Sequence, residues 1–543
     1  MKKKWLASSI IAVTMLASLL AGCSSGEKPN NTNTPATSKP QESNPPAEEQ
    51  LTGHLITKDP LELKIHLHYA DKFIFDDEWP VFKKAAELTN IKLKGTASKA
   101  STNSKEMFNV MMVSGSLPDI VHHQTKEQYD SYGMEGAFLA LDDLIEEHAP
   151  NIKKHFEENP NAAKFAKAPD GKIYFINFTP DGPAAKGWFI RQDWLDKLEL
   201  KAPTTVDELY EVLKAFKEKD PNGNNKADEV PFLSRANMDG IYDLISLWGA
   251  SGGSDGTKRG FFAENGVVKY GMYEPAYKTA VENIAKWYAE GLIDKEIFTR
   301  GAKARDILFG DNTGGVVHDW FSSTAVYNDK LASQVEGFNL VPIAPPANSN
   351  GVIIEASSRK LTHPNGWGIA SSSKHPVEAI KYLDFWFSED GRKLMNFGIE
   401  GKHYEMVDGK PKFKDEVLNN EKSVIQQLQE EGGQLEIGFH QDYEYEKQWT
   451  NEIALKGIEE YVGKGYIQEA YPSVTYTEEE RTKFQELNVA VNTYADEMLQ
   501  KWVLGAEPIN DDNFAKYLKR LDALGIKELL ELEQRAYDRY MAN

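Results

Sequence analysis

The chain has almost no cysteine: a single thiol, Cys23, in 543 residues. No internal disulfide can form, and cysteine-ligated zinc or iron–sulfur centres are excluded. It also lacks an excess of basic charge. Against 83 Asp and Glu stand 62 Lys and Arg, a formal net charge of -21, which repels phosphate backbones and argues against nucleic-acid binding. There is no G-x-x-x-x-G-K-[ST] loop and no H-E-x-x-H pair, so neither P-loop nor zincin chemistry is expected. No fixed-period repeat is present, which removes solenoids. The one long apolar run, Leu6 to Leu20, follows the basic residues Lys2 to Lys4 and ends in small residues before Cys23. That is the pattern of an export signal rather than of a spanning helix.

The stretch LAGCSS around Cys23 resembles the lipobox of bacterial lipoproteins. The resemblance implies a signal peptide over 1–22, cleavage before Cys23 and lipid on its sulfur. The protein would then be anchored to the cell membrane by acyl chains, facing outward. From Ser24 to Gln50 there is no aromatic residue, and alanine is the only aliphatic one. Such a segment cannot offset the entropy of ordering, so a disordered tether is expected over 23–53. The remaining residues, 54–543, are too many for one core, and at least two lobes are expected.

Strand and helix patterns alternate along this part, the mark of an α/β architecture. LELKIHLHY (61–69) alternates like a half-buried strand, FDDEWPVFKKAAELTN reads as a helix, and IKLKG and LPDIVHH read as strands. GKIYFINF and GWFIRQ are strand-like and flank a Pro/Gly turn, TPDGP. TTVDELYEVLKAFKEKD is a helix: Thr205 and Glu208 have capping-box spacing, Val206, Leu209, Leu213 and Phe216 form one stripe, and Pro221 ends it. GGVVHDWFSST reads as a buried strand running into a loop, and GWGIASSSKHPVEAIKYLDFWFS as strand, turn and helix. The tail is two helical segments around Gly525.

The loop DPNGNNKADE crowds hard oxygen donors together. Counting Asp220 as the first position, side-chain oxygens fall at Asp220, Asn222, Asn224 and Asp228, with Glu229 next and Lys226 able to offer only its carbonyl. This alternation suits Ca2+. Glycine and the last carboxylate stand earlier than in an EF-hand, so the expectation is an EF-hand-like loop; a solvated Asp/Asn/Gly turn is the alternative.

Several longer strings, FIRQDWLDKLELKAPTTVDELYEVLKAFKEKDPNGNNKADEVPF, SGSLPDIV, LDDLIEEHAPNI and FGIEGKHYE, resemble bacterial extracellular solute-binding proteins of family 1, including the LipO-type lipoproteins and the alginate-oligosaccharide-binding proteins. The resemblance implies a two-lobe periplasmic-binding-protein-like fold of type II, with a hinge and an inter-lobe cleft. One lobe is expected over roughly 54–185 plus a later return segment. The other is expected over roughly 186–345 plus part of the C-terminal helices. It further implies a monomer that captures an oligosaccharide for an ABC permease. The Ca2+ would be structural and away from the sugar.

Ligands in α/β lobes bind beyond the carboxyl ends of strands, and sugars present a CH face with a rim of hydroxyls. Aromatic or polar residues after strand-like runs are therefore the candidates: Trp320 with His318 and Asp319, Trp367, Trp248, Arg191, Asp119, His122 and His123, and Glu400 with Tyr404. Trp386 is assigned to the core. Glu444 and Glu446 read as a solvated charge run. GASGG at 249–253 matches a nucleophile elbow only in letters, because a helix pattern precedes Ser251. Two other readings stay open: a surface glycan-degrading lipoprotein, and a binder of peptides or other non-sugar solutes.

Overall fold

The computed structural model describes residues 52–542, apart from 124, 184–185, 252–259, 357–358 and 360–361. The export segment, Cys23 and nearly all of the expected tether lie outside the described residues. Among the described residues, no helix is long and apolar enough to cross a membrane.

Nine strands build the two larger sheets: β1 (Leu61–His66), β2 (Ile91–Gly95), β3 (Ile120–His123), β4 (Ile176–Asn177), β5 (Lys186–Arg191), β6 (Val230–Leu233), β7 (Gly314–Trp320), β8 (Leu340–Ile343) and β9 (Gly366–Ile369). The first sheet has the order β2-β1-β3-β9-β4, with β1, β2 and β3 parallel and β9 antiparallel to both its neighbours. The second has the order β8-β5-β7-β6; β6 and β7 run parallel and β5 runs against β7 and β8. Helices cover both, so the central strands β3, β5, β7 and β9 carry buried residues on both faces and read as apolar runs rather than alternating ones.

Each sheet has its own core. Leu63, Ile65, Ile120, Trp367, Ile369, Leu383 and Trp386 pack around the first. Ile190, Trp194, Leu213, Phe216, Trp287, Val316 and Trp502 pack around the second. A smaller cluster, Phe397, Tyr404, Phe413, Leu428 and Tyr445, extends the first lobe. The described residues that pass between the lobes include 178–183, 344–356 with 362–365, and the segment after Phe439. Main-chain bonds tie these passages together: Phe178 N–H donates to Asn365 O (2.8 Å), Thr179 N–H to Phe439 O (2.9 Å) and Gln441 N–H to Thr179 O (2.9 Å).

Local signals explain several element ends. Thr205 caps helix Val206–Glu218 by accepting from Glu208 N–H (3.2 Å), while the Glu208 carboxylate takes Thr204 N–H instead of closing a capping box. The LELKIHLHY strand stops at His66, because the chain turns at Ala70 and Asp71, both with positive φ, and His68–Tyr69 folds back on Phe73–Ile74. FSST after β7 is helical, Phe321–Ala325, where a loop was expected.

Candidate functional site

A cavity of about 720 Å³ lies between the lobes, within the roughly 300–1,000 Å³ usual for small-ligand sites. It opens at the carboxyl ends of the parallel strands β6 and β7. Arg235 follows β6; Trp320 ends β7 and Ser322, Ser323 and Asp329 follow it. The opposite wall is Ser423, Glu446, Gln448, Trp449, Thr450 and Asn451, with Arg359 from the second passage. Trp320 and Trp449 are both half-buried. Two indoles flanked by hydroxyls, amides and guanidiniums can take both the CH face and the hydroxyl rim of a sugar.

Trp320 is aimed by its neighbour. Phe321 packs into the floor against Phe189 and Tyr461. A Cβ at Gly187 or Gly457 would come within 2.4 Å of the Phe321 ring. Two glycines therefore seat Phe321, and the turn at the end of β7 leaves Trp320 at the cavity.

Behind the wall lies a layer of buried charge. Asp319 accepts from Arg235 Nε (2.6 Å) and Nη2 (3.0 Å), and Arg305 Nη1 stands 3.2 Å from the same carboxylate. Glu446 accepts from Arg359 Nη2 at 2.7 and 2.9 Å. Deeper still, Lys186 Nζ donates to both oxygens of Asp243 (2.7 and 3.0 Å). His318 lies between Asp243 (3.2 Å) and Glu355 (2.9 Å). Burial opposes charging of His318, but the two carboxylates outweigh it and raise its pKa to about 9. Asp243 is held down to about 2: burial works against it, and Lys186 and His318 prevail.

Of the residues expected at the ligand, only Trp320 lines this cavity, with Asp319 directly behind it. The structure places the others away from this cavity. Trp367 is fully buried against Tyr382 and Trp386. Trp248 packs edge-on against Trp287 in the second core. Arg191 is 1% exposed and spends its guanidinium on Asp193 and Asn312. Asp119 sits at the entry end of β3, the end away from ligands, where it accepts from Lys64 N–H and Ser373 Oγ–H. His122 is buried beside Tyr69. Glu400 is exposed and bridges to Tyr404 across a tight turn, and Tyr404 belongs to the satellite core. Glu446, read as solvated, is instead 6% exposed and paired with Arg359; Glu444 is exposed beside Lys447. Sequence reasoning also missed Arg235, Arg359 and Trp449. Arg235 follows a strand, the signal that could have found it.

The acidic loop stands at the entry end of β6, opposite the cavity. Asp220, in a left-handed conformation, accepts from Gly223, Asn224 and Asn225 N–H. Asn222 and Asn224 turn their amide nitrogens onto Asp228. Glu229 is 2% exposed, and neither of its carboxylate oxygens has a hydrogen-bond partner. Burial, with Asp220 and Asp228 nearby, raises its pKa. Among the described residues, no three carboxylate or imidazole groups already converge as a ligand cluster. Yet a buried carboxylate without a partner, beside two more, has the donor chemistry that a hard cation satisfies. The Asn222 and Asn224 side-chain oxygens now accept from Asn224 N–H (3.0 Å) and Lys226 N–H (2.8 Å), so offering them to such an ion requires these side chains to turn within the loop.

Known proteins share this architecture. A crystal structure of the alginate-binding protein AlgQ2 without calcium ion is 47% identical, covers 89% of this chain and 99% of its own, and superposes with a TM-score of 0.74. The fructooligosaccharide ABC transporter substrate-binding protein FusA of Streptococcus pneumoniae serotype 4 is 28% identical over 467 residues, 81% of this chain and 83% of FusA. Lipoprotein LipO of Bacillus subtilis is 26% identical over 428 residues, 75% of each chain. Residues 70–393 match the family described as bacterial extracellular solute-binding protein, and the chain belongs to that family.

Proposed function

We propose that this protein is a lipid-anchored receptor on the outer face of the cell membrane that captures an oligosaccharide and presents it to an ABC permease. The observation that carries this reading is the inter-lobe cavity with Trp320 and Trp449 set among hydroxyl, amide and guanidinium groups. The relatives support it, since AlgQ2 and FusA are described as binding alginate and fructooligosaccharide. Ligand touching both walls stabilises the arrangement in which they are close, and that closed form docks on the permease. Of the described carboxylates at the cavity, Glu446 is held by Arg359 and Asp319, behind the wall, by Arg235, which leaves Asp329 at the rim without a second free carboxylate for the pair a glycosidase needs. The anchor is Cys23, supported by LAGCSS and by the lipoprotein relative LipO.

Trp320→Ala is expected to weaken oligosaccharide binding by about 2 kcal/mol, roughly thirtyfold in Kd, with the Tm preserved. Titration calorimetry checks the first and a melting curve the second; undiminished affinity sinks the assignment. Incubating the protein with the bound saccharide and analysing for shorter products distinguishes a receptor from an enzyme.

The loop of Asp220, Asn222, Asn224, Asp228 and Glu229, with the Lys226 carbonyl, is the proposed Ca2+ site. Its contribution is structural: a divalent cation would neutralise the buried Glu229 and fix the entry to β6, stabilising the fold by binding only its native form.

A further inference from the structure

The relatives carry ligands of different charge in their names, so the names do not decide what this cavity accepts; its own electrostatics do. Asp319 is one carboxylate shared by two guanidiniums. Arg305 is buried, its side chain 8% exposed. It donates from Nη1 to Thr324 Oγ1 (2.8 Å) and Ser323 Oγ (3.3 Å), and its Nε has no partner. Arg235 stands in the wall with its side chain 32% exposed. It is bound to Asp319 through Nε and Nη2, while Nη1 makes no hydrogen bond among the described residues.

Among the described residues, the other buried charges around the cavity are matched. Arg359 and Glu446 form a one-to-one pair. The nearby Asp306 is taken by Lys330 and by Tyr327 Oη–H (2.8 Å). Within the group of Lys186, Asp243, His318 and Glu355, two positive charges meet two negative ones when His318 is protonated. Asp329, at the rim, is exposed to water and accepts from Asn451 Nδ2 (2.6 Å). Among the described residues, one positive charge is left over in the deep wall beside Trp320, and Arg235 brings it to the cavity.

We propose that the cavity is specific for an acidic sugar unit, a uronate, whose carboxylate lies against the Nη1 edge of Arg235 while an indole covers a pyranose face. This rests on the oligosaccharide reading above. When the lobes shut and water leaves, an unmatched guanidinium becomes costly. A carboxylate removes that cost through a charge-assisted hydrogen bond, and a neutral hydroxyl cannot. The same leftover charge discriminates against neutral chains, which would enclose it unpaired.

The test compares each of the galacturonate, mannuronate and guluronate trisaccharides with its own methyl ester, which keeps ring, length and hydroxyls and removes the charge. At least one acid is expected to bind roughly tenfold or more tighter than its ester, the size of one charged hydrogen bond. Raising the salt concentration should weaken the acid and leave the ester unaffected. Arg235→Gln should bring acid and ester to within about threefold, and Arg235→Lys should fall between. The wild-type comparison stands even if a variant misfolds. An ester that binds as well as its acid overturns the inference. So does binding of neutral fructo- or malto-oligosaccharides with none of the acids, though the oligosaccharide reading then survives. If no saccharide of either class binds, both fall.

Discussion

Histidine is used in two opposite ways in this molecule. In the first lobe, burial lowers the imidazoles of His66, His123 and His440 to about 4 and those of His122 and His155 to about 3. Each is neutral in the fold but takes a proton near pH 6.5 once unfolded. Their contribution is complete above pH 6.5 and is lost as pH falls through 6.5 towards 3. His318, in the second lobe, is the reverse: raised to about 9 by Glu355 and Asp243 against burial, it stabilises fully below pH 6.5 and less as pH rises through 9. A melting profile against pH should therefore fall on both sides of neutrality. His318→Gln should flatten the alkaline limb and leave the acid limb in place. An unchanged alkaline slope in that variant contradicts the assignment. At this scale the sequence shows which residue types are present and little of their partners. Trp320 is legible because it ends an apolar strand run. Arg235 meets Asp319 across 84 residues, and Glu446 meets Arg359 across 87. Periodicity reports neighbours three or four residues away and is blind to such pairs.

At the scale of elements, two short pieces of chain fix the cavity from opposite ends. The loop before β6 holds Glu229 buried and unpaired, and β6 then delivers Arg235 to the wall. Chelation with EGTA is expected to lower the Tm and added Ca2+ to restore it. Glu229→Gln should raise the Tm of the metal-free protein, because it removes a buried carboxylate charge. It should also abolish the Ca2+-dependent rise; a rise that persists removes Glu229 from the site. At the other end, Gly187 and Gly457 make room for Phe321. Gly457→Ala is expected to cost about 1–3 kcal/mol by overpacking and to weaken ligand binding by moving Trp320. A Tm equal to wild type would show that Phe321 yields freely. Helix Val206–Glu218 was legible from its cap, stripe and terminating proline. The 26-residue helix Glu478–Val503 was not singled out, although its buried Phe484, Leu487, Val491, Ala495, Met498 and Trp502 keep helical spacing; that stripe is the signal that could have found it.

At the scale of the whole molecule, the Pro/Gly turn TPDGP is informative because the strands on either side of it, β4 and β5, lie in different sheets. What no sequence pattern shows is a second bridge between the lobes, far from the three passages. The helices Glu478–Val503 and Ile526–Ala542 are rooted in the second core through Leu487, Val491, Leu529 and Leu532. At their outer ends they reach the first lobe. Arg481 donates from Nη1 to Glu127 O (3.0 Å) and from Nη2 to Ser131 Oγ (3.4 Å). Tyr540 Oη–H donates to Asn161 Oδ1 (3.2 Å), and Lys164 Nζ lies 5.5 Å from the Tyr540 ring. The named contacts are made by polar or charged groups with access to water, each worth about 0.5–1.5 kcal/mol at most. Such a clasp can let go without exposing a core, which suits the opening and closing proposed above for the two lobes. Removing it should shift the lobe equilibrium and leave each lobe's stability intact. In the double variant Arg481→Ala, Tyr540→Phe, losing roughly 1–2 kcal/mol of holding energy changes the population ratio by about five- to thirtyfold. Small-angle scattering of the ligand-free variant should then depart from the curve calculated for this arrangement, with a larger radius of gyration and a Tm close to wild type. Scattering curves for variant and wild type that superimpose would mean that the three passages alone set the lobe orientation and that the clasp is only surface contact.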